Sequence, residues 1–184
     1  MQVLFASSNK HKVAEANEVG RKFGVEFKQV SVDYSEVRDK SVSVVALDGV
    51  KYVYSQVKKP VIVEDSGLFI SSLNDFPGSY SRFVFDLIGI QGILDLMRSK
   101  KDRQAYFLSA IAFHDGKTLK AFEGRVDGVI ARTSKGFSGF GFDPIFIPKG
   151  SKKTFAEDIE FKSKVSHRVK SVEMFCKWFK ERRL

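Results

Sequence analysis

Lys58-Lys59-Pro60-Val61-Ile62-Val63-Glu64-Asp65-Ser66-Gly67-Leu68-Phe69 carries a short apolar run that gives way at once to two adjacent carboxylates, a hydroxyl and a glycine. A continuous apolar run opened by a proline is expected of a strand covered on both faces rather than of one lying at a surface. The reading is a short buried strand that ends at its acids, with Gly67 letting the backbone turn sharply past them. Successive side chains of an extended chain point to opposite sides, so Glu64 and Asp65 need not share one task. The alternative is a strand followed by a polar turn, since Asp-Ser-Gly is ordinary turn chemistry.

Upstream, residues 2–6 are apolar enough for an inner strand, and Ser7-Ser8-Asn9 supplies helix-capping residues before a helix over 10–23. Val13, Ala16, Gly20 and Phe23 fall on one face of that helix. A strand end feeding straight into a helix N-terminus is a natural anion site, where free backbone N–H groups and the dipole favour phosphate. Lys12, inside the first turn, adds a positive charge that the helix would not choose for its own stability; the alternative is a solvated surface lysine. Residues 25–32 read as a second strand, followed by a polar loop over 33–39 with three acids, of which Glu36 stands out. Ser41 then caps a long helix in which Val42, Val45, Ala46, Gly49, Val50, Val53, Tyr54 and Val57 keep an unbroken helical period. The alternation β-α-β-α-β through the first 65 residues argues for an α/β fold.

Downstream, residues 68–73 lead into a turn over 74–78, a Phe-rich helical stretch over 80–88 and a shorter helix near 91–98. Residues 105–113 and 118–131 read as an antiparallel hairpin around His114-Asp115-Gly116-Lys117, which makes His114 a turn residue. Gly116-Lys117-Thr118 is a false phosphate-loop signal, because the glycine such a loop needs is Ile111. Gly136-Phe137-Ser138-Gly139-Phe140-Gly141-Phe142-Asp143 is too rich in glycine for a simple strand. Its rings suggest a wall on which a flat ligand stacks, with Asp143 accepting from a ring N–H; packed core is the alternative. The chain ends in a helix whose Val169, Val172, Phe175, Cys176 and Phe179 share one face, with Ser166 before it as a plausible N-cap and His167-Arg168 at its start.

Composition narrows the class. At 184 residues, with 43% hydrophobic residues, 18 phenylalanines and 4 prolines, the chain suits one globular domain, or one with a small appended lobe, and neither a disordered nor a fibrous class. A single cysteine, Cys176, cannot form an internal disulfide, so a reduced buried thiol and a cytoplasmic setting are expected. The N-terminus lacks the basic start and long apolar run of a signal peptide, and no apolar run is long enough to span a bilayer. The net charge is +9, and residues 149–184 hold eleven Lys and Arg against five Asp and Glu. Such a surplus attracts nucleic acid or a small polyanion such as a nucleoside triphosphate equally well.

Four segments in order resemble the inosine triphosphate pyrophosphatase family: Ser8-Asn9-x-x-Lys12 with Glu15, Val63-Glu64-Asp65-Ser66-Gly67-Leu68, Gly139-Phe140-Gly141-Phe142-Asp143-Pro144-Ile145-Phe146, and Ser166-His167-Arg168. Phe76-Pro77-Gly78 with Tyr80-Ser81-Arg82, Ala105-Tyr106-Phe107 and Lys153-Thr154-Phe155-Ala156-Glu157 fit as well, so the likeness runs nearly end to end. It implies a mixed twisted α/β sheet with flanking helices, in one nucleotide pyrophosphatase domain of two lobes around a central cleft. The activity implied is magnesium-dependent hydrolysis of ITP, dITP and XTP to the monophosphate and pyrophosphate by a homodimer, with no membrane or nucleic-acid partner. Ser7, Ser8, Asn9, Lys10 and Lys12 match the triphosphate-binding start of the first helix. Glu36 and Asp65 match metal-associated carboxylates, with Glu64 a possible third, and Asp65 also matches the water-activating base beside Ser66. Phe140, Gly141, Phe142 and Asp143 match the base-binding wall, and Lys162, His167 and Arg168 match nucleotide contacts. The family often has Thr-Gly-Asn where this chain has Ser7-Ser8-Asn9, Tyr or Trp at Phe142 and Met at Asp158.

The chemistry of the residues is consistent with that implication. Mg²⁺ prefers one or two protein carboxylates plus phosphate oxygens and retained waters, which suits a sparse acidic set. Donors from His167 and Arg168 would satisfy a 6-carbonyl and face the amino group of adenine, a mispairing worth roughly 10⁴-fold or more. Guanine, which also has a 6-carbonyl, is not excluded by this. The competing expectation is a basic nucleic-acid-binding module without hydrolase activity, resting on the charged tail.

Overall fold

The computed structural model describes residues 1–182. In chain order the elements are β1 (Gln2–Ala6), α1 (Lys10–Arg21), β2 (Glu26–Val30), α2 (Val42–Val57), β3 (Val61–Ile70), β4 (Phe76–Gly78), α3 (Ser81–Leu96), β5 (Gln104–His114), β6 (Leu119–Ile130), β7 (Phe146–Pro148), α4 (Ile159–Val165) and α5 (His167–Glu181). The seven strands form one mixed sheet ordered β2-β1-β3-β5-β6-β7, with β4 pairing on β3. The expected β-α-β-α-β opening is present, and β1 pairs in parallel with both β2 and β3. Among the described residues no helix is long and apolar enough to cross a membrane.

The chain divides into two compact units. One comprises Met1–Asp65, Ser109–Gly124 and the residues from His167 on; the other comprises Ser66–Leu108 and Arg125–Ser166. In the first unit, Asn9 caps α1 by accepting from the backbone N–H groups of His11 and Lys12 (2.9 and 3.4 Å), and Ser41 caps α2 by accepting from Val44 N (3.4 Å). α1 and α5 bury their apolar stripes in a core of Val3, Phe5, Val13, Ala16, Ile62, Phe113, Val172, Phe175 and Phe179. Burying each Val, Ile or Phe among them contributes about 1.5–3 kcal/mol. Gly124 on β6 allows the start of α5 to approach closely. A Cβ there would lie 2.1 Å from the carbonyl oxygen of His167 and 2.5 Å from Ser171 N.

The second unit has its own core, in which Leu68, Ile70, Val84, Ile93, Phe107, Phe142, Phe146 and Phe155 interlock. Phe107 meets Phe146 edge to face at 4.7 Å. The two helical stretches expected over 80–88 and 91–98 follow one another within α3 on either side of a kink at Gly89, whose φ of 60° and ψ of −162° no helix accommodates. β5 and β6 are sheet neighbours joined by the expected tight turn, in which Gly116 N donates to His114 Nδ1 (2.9 Å) and Gly116 takes a φ of 93°.

Three expectations are corrected. The strand opened by Pro60 does not end at its acids: β3 continues through Glu64, Asp65, Ser66 and Gly67 to Ile70. Gly67 is a point of close approach rather than a turn, because a Cβ there would lie 2.0 Å from the carbonyl oxygen of Gly78. The turn foreseen over 74–78 contains β4, which pairs antiparallel with β3 from Leu68↔Gly78 to Ile70↔Phe76 and so satisfies the backbone that an isolated turn would leave open. Asp158, where the family often has Met, is the N-cap of α4, accepting from Phe161 N at 3.0 Å.

Candidate active site

Because β1→α1→β2 steps to one side of β1 and β2→α2→β3 crosses back to the other, the carboxyl end of β1, where it lies beside the parallel strand β3, is a topological switch point. Open α/β sheets bind ligands in the crevice at such a point. The register pairs Ala6 with Val63, so the loop Ser7-Ser8-Asn9 and the acids Glu64 and Asp65 follow from neighbouring positions. Ser7 Oγ accepts from Asn9 N (3.1 Å), and the Ser7 carbonyl accepts from Gln29 Nε2 (2.8 Å), which fixes the loop. Ser8 and Lys10 are exposed there. Asn9 Oδ1 is turned toward its own helix, so its side chain shapes the loop instead of standing free for a ligand.

Glu64 is the hub of a buried ion network in the first unit. Lys12 Nζ lies 2.7 Å from Glu64 Oε2 and donates to the Glu64 carbonyl (3.2 Å). Arg168 donates to Glu64 Oε1 through Nε (3.2 Å) and Nη2 (3.0 Å), and to Glu15 Oε2 through Nη1 (2.5 Å). Ser109 Oγ adds a third donor to Glu64 Oε1 (2.8 Å) and lies 3.0 Å from Ser171 Oγ. Burial alone would raise the Glu64 carboxyl, but Arg168 and Lys12 overcome it and hold the acid well below the usual carboxylate range. Burial likewise works against the Arg168 cation, and Glu64 and Glu15 reverse that and raise it. Arg168 is 1% exposed and His167 is buried beside it, so neither is a solvated side chain at a helix start. Lys12 is the partly open member, its side chain 19% exposed.

Asp65, next along the strand, is half-buried, and Glu36 is exposed in the loop between β2 and α2. Both act on one phenol. Tyr34 is held well above its ordinary pKa, first by burial and then by the negative charges of Glu36, Asp65 and Asp48. Its ring lies on α2, stacked on Tyr52 (5.9 Å), at a spot that Gly49 leaves open: a Cβ there would lie 2.9 Å from the Tyr34 hydroxyl. Tyr34 and Asp48 were not singled out from the sequence: Tyr34 lies in the polar loop read over 33–39, and Asp48 falls between the apolar positions that define the helix after Ser41. Ser109 and Ser171 were missed because strand and helix periodicity report only apolar faces. Among the described residues no three His, Cys, Asp or Glu side chains converge on one point suited to a metal. Glu36 and Asp65 are hard oxygen donors of the kind that hold Mg²⁺ in ones and twos alongside the phosphate oxygens of its ligand.

In the second unit, Lys162 is buried, donates to Asp143 Oδ2 (2.7 Å) and sits 4.5 Å over the Phe140 ring. Asp143 Oδ2 also accepts from Phe140 N (2.8 Å), which anchors the glycine-rich turn. Asp143 thus organises Lys162 and the turn. Phe142, expected on a ligand-facing wall, is only 3% exposed and meets Phe85 edge to face at 5.3 Å in the core. Phe140 and Gly141 are half-buried, and so is Ser66 on β3.

Comparison with known proteins places these features in a wider set. The Ham1 family matches residues 3–178. A dITP/XTP pyrophosphatase of Methanopyrus kandleri is 45% identical over 182 residues, covering 98% of this chain and 97% of that protein. One of Thermococcus kodakarensis is 46% identical over 182 residues, covering 98% of each. The solved structure of a HAM1 protein from Coxiella burnetii superposes with a TM-score of 0.86 at 29% identity, covering 98% of this chain and 99% of that one.

Proposed function

The chain belongs to the Ham1 family, and from that premise we propose that it hydrolyses non-standard purine nucleoside triphosphates (ITP, dITP and XTP) to the monophosphate and pyrophosphate. The observation that carries the reading is the junction where β1 ends beside the middle of β3, where the buried Glu64 ties down Lys12 at the start of α1 and Asp65 is the next residue along the strand. That junction offers what attack on an α-phosphorus requires, a cation for the phosphates and a carboxylate to orient water. Glu64 is neutralised by Lys12 and Arg168, so this reading assigns it to positioning them, and Asp65 becomes the general base.

Glu36 and Asp65 would hold Mg²⁺, which when bound neutralises charge developing on the phosphates. Ser7, Ser8, Lys10 and the backbone that Asn9 organises act on the triphosphate. Three of the five Arg168 N–H directions are committed to carboxylates, so His167 is the residue left to discriminate a 6-carbonyl, and Arg168 holds the frame around it. Lys162, Gly141 and the Phe140 ring are assigned to the nucleoside, with Ser66 beside the reacting phosphate. We place the enzyme in the cytoplasm as a homodimer.

Incubation with ITP, XTP, ATP and GTP plus Mg²⁺, with pyrophosphate and orthophosphate measured separately, tests the reading. Pyrophosphate from ITP and XTP is expected. Orthophosphate alone, or equal turnover of ATP, would overturn it.

A further inference from the structure

The second unit holds a cavity of about 330 Å³ whose lining includes Asp95, Arg98, Arg103, Arg132, Thr133 and Ser134. Its charge is unbalanced. Arg98 pairs with Asp95, which leaves two guanidinium groups without a carboxylate among the described residues. Arg103 donates only to carbonyls: Nε to Ile130 (2.6 Å), Nη1 to Met97 (2.9 Å) and Nη2 to Ala131 (2.6 Å). Those bonds join the end of α3 to the end of β6 and fix the guanidinium in place. They use three of its five N–H donors. Burial, and after it the positive charge of Arg132, push the Arg103 pKa down, so the two cations feel each other without an acid between them. Arg132, Thr133 and Ser134 are exposed on the same rim.

We propose that this cavity binds a small phosphate-type anion, inorganic phosphate or pyrophosphate. Three arginines line the cavity against one acid, which Arg98 already takes, and a dianion seated there would restore the balance. Planar guanidinium forks match phosphoryl oxygens two at a time, and the neighbouring hydroxyls supply further donors. The volume lies at the lower end of ligand pockets, roughly 300–1,000 Å³, which suits one or two phosphoryl groups. The cavity lies wholly in the second unit and shares no residue with the catalytic assignments, so the proposal does not depend on the proposed reaction.

Isothermal titration of the full chain with inorganic phosphate, and separately with pyrophosphate, tests it in a Lys10→Ala/Lys12→Ala background, which removes the lysines that the candidate active site would offer to the same anions. Binding of at least one anion is expected, weakened about tenfold or more by Arg132→Ala and less by Arg132→Lys. The anion that binds about tenfold tighter identifies the occupant. Arg132 is exposed, so its substitution should leave the melting temperature unchanged, and a loss of binding can then be read as loss of the site. Absence of binding by both anions at millimolar concentration, or binding indifferent to Arg132→Ala, would overturn the proposal.

Discussion

Arg168 and Glu64, 104 positions apart in the chain, meet through two hydrogen bonds to one carboxylate oxygen in a place where both side chains are shut off from water. The other oxygen of the same acid takes Lys12. An acid that could have been a catalytic group is thereby turned into the pivot for two cations, one of which is buried and the other partly open.

Removing that pivot should be costly. Glu64→Gln takes away the carboxylate that pairs with the buried Arg168 through two hydrogen bonds, and breaking a buried pair by deleting one partner costs about 3–5 kcal/mol. Urea unfolding should show the loss, and Glu64→Gln/Arg168→Met should recover much of it. A single variant as stable as the parent would deny the network a structural role.

The same pair predicts an acid limb of stability. The folded protein holds Glu64 below its unfolded pKa of about 4.3, so the unfolded chain binds the extra proton and stability falls as the pH drops below that value. Thermal melts between pH 7 and pH 2 should decline there in the parent and decline less in Glu64→Gln.

Asp65 bears the chemistry in the proposed reaction. Asp65→Asn should lower turnover of ITP by roughly 10²–10⁴-fold, the range typical of a lost general base, while ITP binding stays measurable by calorimetry. An active variant would remove Asp65 from that role.

Phe140 and Phe142 should separate cleanly. Phe142→Ala opens the core of the second unit and should cost about 3–5 kcal/mol by denaturant unfolding. Phe140→Ala should cost far less stability and raise KM for the nucleotide.

Cys176 should be inert in the native protein. Burial, and after it the charge of Glu173, push its thiol up to about 12, so iodoacetamide at pH 8 should leave it unmodified until denaturant is added.

The helices were legible because their apolar faces recur in the sequence itself. Val42 to Val57 needed only period and Ser41's cap, and Val61-Ile62-Val63 needed only its unbroken apolar run. Asp65 and the Asn9 loop could be nominated from short motifs at strand ends. Where β3 stops could not, because its extension past the acids depends on pairing with Phe76–Gly78, a partner defined by register and not by composition. The burial of Phe142 depends on Phe85, and that of Arg168 on Glu64 and Glu15. A sequence lists which charges and rings exist, and local periodicity reports which face of one element is apolar. Whether an acid is a ligand or a pivot, and whether a ring is wall or core, is set by neighbours distant in the chain, through desolvation and Coulomb terms that exist only once those neighbours are brought together.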